Sequence, residues 1–228
     1  LPPIDDESMS DDAVIDATFK LKEKLKDKVV ILGHHYQQDD IIQFADHRGD
    51  SLELAKKVQA LKVPYVIFCG VHFMAETADM LTGADTKVIL PDLRAGCSMA
   101  DMANSDQIEK SWKHITSVSP KKIIPITYIN SSAALKAFVG KNEGSICTSS
   151  NARAMVSWAL SKGEQLLFFP DQHLGRNTCF DLGIKLDEMV TYNPLMQNGG
   201  LTDQALKNAK VILWYGYCSV HQGFNAEQ

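Results

Sequence analysis

Lys87-Val88-Ile89-Leu90-Pro91-Asp92-Leu93-Arg94-Ala95-Gly96-Cys97-Ser98-Met99-Ala100-Asp101 reads as a short apolar strand that runs into a polar turn and delivers one cysteine past its C-terminal end. In an open α/β sheet, ligands bind along that edge. The design recurs near the end of the chain, in Lys210-Val211-Ile212-Leu213-Trp214-Tyr215-Gly216-Tyr217-Cys218-Ser219-Val220-His221. A Lys-Val-Ile-Leu strand leads to Gly-Cys in one copy and to Gly-Tyr-Cys in the other. Cys97 and Cys218 therefore read as two ligands of one shared centre, against the plainer reading of two apolar strands that happen to look alike.

Other apolar runs extend the pattern in both directions. Val29–Leu32, Tyr65–Cys69, Ile123–Tyr128, Ser145–Cys147 and Gln165–Phe169 read as strands, and helical spacing fills several of the gaps. Asp11 or Asp12 is expected to cap a helix through Lys28, further helices are expected over Asp39–Arg48 and from Ser51 to Leu61, and Asp101–Ser119 also reads as helical. Continuous apolar strands alternating with helices predict parallel sheets covered on both faces. The polar landmarks then match in order. Unit one runs His34/Tyr36, Gly49-Asp50-Ser51, Gly70/His72, Cys97; unit two runs Tyr128/Asn130, Thr148-Ser149, Asp171/His173, Cys218. Long-period repetition of this kind presents equivalent residues to a common axis. The expected fold class is α/β, a duplicated three-layer αβα design with short parallel sheets. Residues 1–28 read as a leader and helix, 29–119 and 120–218 as two αβα repeats, 219–228 as the start of another, and Lys185–Gln204 as a polar insertion.

Composition narrows the function classes. The formal net charge of −5 leaves no basic footprint for nucleic acid or an anionic membrane. No apolar run approaches the ~20 residues of a membrane span, and Leu1-Pro2-Pro3-Ile4-Asp5-Asp6 lacks the apolar region of a signal peptide. The absence of an initial Met leads us to expect a processed or trimmed form of a longer chain. Five widely spaced cysteines (Cys69, Cys97, Cys147, Cys179, Cys218), without any Cys-x-x-Cys, argue against disulfides and zinc ribbons and for a cytoplasmic setting.

The strand-end residues are the candidates for chemistry. His34 and Tyr36 are suited to proton transfer or to holding an anion, with a loop-bonded His–Tyr pair as the plainer alternative. His35 reads as structural. Ser51 and Ser149 precede helical runs and read either as caps or as hydroxyls beside free N–H groups that accept a carboxylate or phosphate. Asn130 offers a donor and an acceptor to a small polar substrate, or is a turn asparagine. Cys97 and Cys218 are candidate thiolate ligands of zinc, copper or an iron–sulfur cluster. Cys69 and Cys147 read as structural, and His72, Glu76 and His173 are secondary candidates.

Taken together, Gly-His-His-Tyr-Gln (33–37), Gly-Asp-Ser (49–51), Phe-Met-Ala-Glu-Thr (73–77), Gly-Cys-Ser-Met-Ala (96–100), Tyr-Ile-Asn-Ser (128–131), Thr-Ser-Ser-Asn-Ala (148–152) and Gly-Tyr-Cys-Ser-Val-His (216–221) resemble the quinolinate synthase family, collinearly from Val29 onward. The resemblance implies a pseudo-threefold protein of three αβα domains, each giving one cysteine to a [4Fe–4S] cluster whose open iron acts as a Lewis acid during dehydration. It implies condensation of iminoaspartate with dihydroxyacetone phosphate to quinolinate, a transferase-type step of NAD biosynthesis, and an aspartate-oxidising enzyme as the supplier of iminoaspartate. Carried over, Cys97 and Cys218 look like metal ligands, His34, Ser51, Tyr128, Asn130 and Ser149 like substrate contacts, and Tyr36, with His34, like the acid–base residues. The radical-SAM enzyme of diphthamide synthesis shares the three-cysteine layout, but Gly-His-His-Tyr-Gln and Tyr-Ile-Asn-Ser argue against it. This sequence departs from the family pattern in lacking the third cysteine and the His-Pro-Glu segment, so a truncated chain, inactive alone, is expected. The competing expectation is a cluster-free α/β domain that grips a small dicarboxylate or phosphate at Ser51 and Ser149.

Overall fold

The computed structural model describes residues 8–225 and residue 227; residues 1–7 of the expected leader lie outside them. Two compact units divide between Ala95 and Gly96.

In the first unit, α1 (Asp11–Leu25) is followed by β1 (Val29–His34), α2 (Asp39–Ile42), β2 (His47–Gly49), α3 (Ser51–Ala60), β3 (Tyr65–Cys69), α4 (His72–Leu81) and β4 (Lys87–Ile89). The strands pair in parallel in the order β2-β1-β3-β4. Parallel neighbours need crossovers that return the chain to the same edge, and the intervening helices make them. Leu54 and Val58 of α3 and Phe73 and Ala78 of α4 are buried, as are Leu32, Val66 and Phe68 of the sheet. Helix α1 is attached more lightly. It buries no residue, and its anchors are Lys22, 2.6 Å from the Phe44 carbonyl and 2.8 Å from Asp46, and Phe19, whose ring centroid lies 4.9 Å from that of Phe44.

The second unit repeats the order with an addition. A 3₁₀ turn (Ala100–Met102) leads to α5 (Ser105–Val118), β5 (Ile123–Tyr128), α6 (Ala133–Lys141), β6 (Ser145–Cys147), α7 (Ala152–Lys162), β7 (Gln165–Phe169), α8 (Gln172–Asp181), β8 (Met189–Tyr192), α9 (Asp203–Asn208) and β9 (Val211–Trp214). The sheet is parallel, in the order β6-β5-β7-β9-β8. Side chains alternate across a strand, so the unbroken apolar run of β7 fills both faces. Leu167 and Phe169 join Ile108, Ile115, Leu135 and Leu206 from α5, α6 and α9, whereas Leu166 and Phe168 join Val156 and Cys179 from α7 and α8. This is the three-layer arrangement that the sequence pattern predicts.

Ladder register makes the duplication residue-specific. Leu32 pairs with Phe68 in one sheet and Ile126 with Phe168 in the other. Counting on along each strand, His34 matches Tyr128 and Tyr36 matches Asn130. His34 pairs with Gly49, and Tyr128 with Cys147, so Ser51 falls at the same place as Ser149. Ile67 pairs with Ile89 and Leu167 with Ile212, which aligns the two Lys-Val-Ile-Leu runs.

Several local expectations are corrected. Helix α2 stops at Ile42, and the end of the expected 39–48 helix is instead edge strand β2, because Asp46 turns back to accept the Ile31 N–H at 2.8 Å. Ser10, not Asp11 or Asp12, caps α1, and the helix ends at Leu25. Helix α5 begins only at Ser105, where Asn104 and Gln107 form a capping box. The polar insertion holds β8 and the first two residues of α9. Helices α6 and α8, for which the sequence pattern names no helix, complete the alternation. Residues 96–119 fall in the second compact unit, since α5 packs its Ile108 and Ile115 into the core around β7 and β9, whereas the sequence division lies at 119/120.

Candidate functional site

In the first unit, β1 ends at His34 and the chain turns sharply. The strand does not continue, so His35 is not carried to the opposite face. Its ring lies 4.2 Å from that of His34, and its Nδ1 lies 3.2 Å from the Gly49 carbonyl. The Tyr36 ring centroid lies 3.9 Å from that of His34, and its hydroxyl lies 3.9 Å from Met74 Sδ, within the Phe-Met-Ala-Glu-Thr run. His34 is 5% exposed. Burial, helped by neighbouring His35 and opposed by Asp50, pushes its imidazole down to about 4. At neutral pH His34 is therefore an uncharged imidazole, a hydrogen-bonding group whose two nitrogens play different roles.

Ser51 is not the cap of α3. Asp50 holds that place, its Oδ1 accepting the Glu53 N–H at 2.8 Å, which leaves the Ser51 hydroxyl in the first turn free of capping duty. Ser149 is likewise not a cap. It lies in a turn closed by Asn151, whose Oδ1 accepts the Thr148 N–H at 2.7 Å. His72 and Glu76 face each other along α4 at 3.8 Å.

The second unit gathers more of the predicted residues. Tyr128 hydrogen-bonds Ser149, and its phenol is raised above the ordinary range by burial, with Cys147, Asp171 and Cys97 adding to the rise and the Ser149 bond opposing it. It stays protonated and able to donate. The Asn130 amide lies 3.8 Å from Cys97 Sγ and points a donor at the sulfur. Cys97 and Cys218 are both free and half-buried. The residues that follow them meet, with the Ser98 and Ser219 hydroxyls 2.9 Å apart across the width of the unit's sequence. The Cys218 turn is also clamped to the scaffold. Trp214 Nε1–H donates to the Met102 carbonyl at 2.8 Å, the Tyr217 N–H to Met102 Sδ at 3.2 Å, and a Cβ on Gly216 would collide with the Pro170 carbonyl oxygen. Only glycine permits that approach.

The remaining thiols differ in kind. Burial pushes Cys147 and Cys179 up to about 12, which makes them packing residues, and it raises Cys69 as well. Among the described residues, no three His, Cys, Asp or Glu side chains converge as a ready metal site. Sequence reasoning missed Ser98, Ser219 and Met102. The available signal was the Cys-Ser pair repeated at both strand ends.

The scaffold, duplicated in register, places the chain among parallel α/β proteins, with thiol and hydrogen-bonding side chains gathered at its strand ends. A family model narrows this, since NadA, quinolinate synthetase A protein, matches residues 18–228, and the chain belongs to that family. It is 53% identical over 228 residues to the quinolinate synthase of Streptomyces coelicolor, covering 99% of this chain and 58% of that protein. Identity to the quinolinate synthase of Corynebacterium glutamicum is 53% over 221 residues, covering 96% of this chain and 56% of the relative. For the quinolinate synthase of Bacillus cereus it is 54% over 209 residues, 91% of this chain and 56% of the relative. The chain thus spans little more than half the length of the curated relatives it matches.

Proposed function

We propose that this chain forms two αβα repeats of a quinolinate synthase that condenses iminoaspartate with dihydroxyacetone phosphate during NAD biosynthesis, and that Cys97 and Cys218 are two of the three thiolates of its [4Fe–4S] cluster. The observation that carries this reading is the Ser98–Ser219 contact at 2.9 Å, which draws the turns of two distant cysteines together, with the Asn130 amide beside one sulfur. The donor chemistry fits, because two free, half-buried thiols match the soft ligands such a cluster takes. When bound, the cluster supplies an open iron as a Lewis acid toward a substrate carboxylate or hydroxyl.

The chain's own residues have separate parts in this reading. Tyr128, held protonated by burial, donates to a substrate oxyanion. Asn130 orients the substrate or the Cys97 sulfur. Ser149 and Ser51, relieved of capping, offer hydroxyls to carboxylate or phosphate oxygens. His34 contributes as a neutral imidazole, and Tyr36, 54% exposed beside it, is the group placed to exchange protons with a substrate. No helix among the described residues is long and apolar enough to cross a membrane, and five free thiols suit a reducing compartment such as the cytoplasm. An aspartate-oxidising enzyme would be the source of iminoaspartate.

The test extends the chain to the full length of its curated relatives and reconstitutes it anaerobically with iron and sulfide. A brown protein that makes quinolinate, and loses both colour and activity on Cys97→Ser or Cys218→Ser, is expected. A colourless, inactive extended protein overturns the reading. Undiminished affinity for a dicarboxylate in both cysteine variants would instead favour the cluster-free binding domain.

A further inference from the structure

The duplication places opposite charges at one matched position. Register aligns β3 with β7, and counting on from them matches Glu76 of α4 with Arg176 of α8, and His72 with Gln172. In the first unit the pair answers itself, His72 Nδ1 lying 3.8 Å from Glu76 Oε1. In the second it does not. Arg176 Nη2 donates to Gln172 Oε1 at 3.0 Å and to Thr191 Oγ1 at 3.4 Å, and Nη1 donates to His173 Nδ1 at 3.3 Å. None of the three partners is a carboxylate, and no carboxylate among the described residues forms an ion pair with this guanidinium. Asp171, one of the two acids five residues away, is committed elsewhere, its Oδ1 taking the His173 and Leu174 N–H groups at 2.8 and 3.3 Å.

We propose that Arg176, with His173 and Thr191, forms an oxyanion site on the second unit that takes phosphate or a phosphate monoester. The guanidinium is half-buried between α8 and the inserted strand β8, and Gln172 beneath it is 7% exposed. A positive charge withdrawn from water without a counter-charge is costly, and Arg is the side chain best shaped to recover that cost from a phosphate. Its plane is fixed by the three contacts, so little rotamer freedom remains to be lost on binding. A guanidinium carries five N–H donors, of which these contacts use three, leaving Nε–H and one Nη1–H. Thr191 accepts from Arg176 and keeps its own O–H to donate. Because a guanidinium only donates, His173 Nδ1 must be the accepting nitrogen, which leaves the ring proton on Nε2. Several donors around one charge suit a tetrahedral dianion with many acceptors better than a planar carboxylate with two. Thr191 belongs to β8, which the first unit lacks, so the site is particular to the second copy.

Inorganic phosphate titrated into the 228-residue chain, read by the NMR signals of the Arg176 Nε–H and the His173 ring, tests this. Saturable shifts are expected, with affinity falling about tenfold or more in Arg176→Gln as the charge-assisted bonds are lost. Thr191→Val, which keeps the charge, should weaken binding less, and an unchanged amide spectrum elsewhere shows that each variant is folded. Shifts that do not saturate, equal phosphate affinity in Arg176→Gln, or acetate binding as tightly as phosphate would each overturn the assignment.

Discussion

The two units share one plan and differ in how deeply it is buried. Strand β3 alternates between exposed and covered residues, while its counterpart β7 is buried throughout; β4 has no fully buried residue, while β9 is buried along its length. Helix α1 buries nothing, whereas α5 sinks Ile108, Ser111 and Ile115. The insertion accounts for much of this. In the first sheet β4 is an edge strand, but in the second β8 pairs outside β9 and makes it interior, while α9 adds Leu206 to the cover of one face. A repeated scaffold thus acquires a firm half by adding one strand and one short helix.

The sharpest way to break this comparison is a pair of matched substitutions. Ile212 is fully buried, and Ile89, the matching residue of the first unit, is 45% exposed. Ile212→Ala should cost about 2–5 kcal/mol, in the range of cavity-forming core changes, and Ile89→Ala well under about 1 kcal/mol. Chemical denaturation of both variants measures the difference, and equal losses would remove burial as the distinction between the units.

A second test uses the matched pair His34 and Tyr128. His34 has its folded value lowered from 6.5 to about 4, so the folded state resists a proton that the unfolded state takes up. At neutral or higher pH both states are unprotonated and His34 costs the fold nothing, but stability falls as pH drops from 6.5 towards 4 and the unfolded state takes up the proton first, by about 3 kcal/mol over the window at about 1.4 kcal/mol per unit. Denaturation at pH 7 and pH 4.5 should show a drop that His34→Gln reduces, while Tyr128→Phe leaves that drop unchanged. A drop that survives His34→Gln would place the acid sensitivity elsewhere.

The legibility of this protein in its sequence follows the same divide. Gln165-Leu166-Leu167-Phe168-Phe169 announces a strand because both faces are apolar, and the strand-end position of His34 and Tyr128 follows from where such runs stop. Strand β2 is His47-Arg48-Gly49, three residues at an edge with no pattern to read, and β8 lies in a segment whose polarity conceals it. Ser51 and Ser149 could be placed before helices, but not excluded as caps, since capping depends on which neighbouring oxygen reaches the backbone first. Asp50 makes that bond for α3, whereas α7 starts without a side-chain cap bond and Asn151 turns back to Thr148. The meeting of Ser98 with Ser219 was legible only as far as the expected convergence of Cys97 and Cys218, because the contact itself arises when two turns from opposite ends of the second unit reach the same place.

That contact carries the smallest effect. Both serines are exposed, so water can replace either hydroxyl, and Ser98→Ala or Ser219→Ala should each lower stability by no more than about 1 kcal/mol. The informative quantity is their coupling. If the hydroxyls serve each other, the double variant should cost no more than the larger single change, since the first substitution already removes the shared bond. Additive losses in a double-mutant cycle would mean that each serine acts alone. The turns of Cys97 and Cys218 would then have to be held together by the scaffold, through Gly216 against Pro170 and Trp214 on Met102.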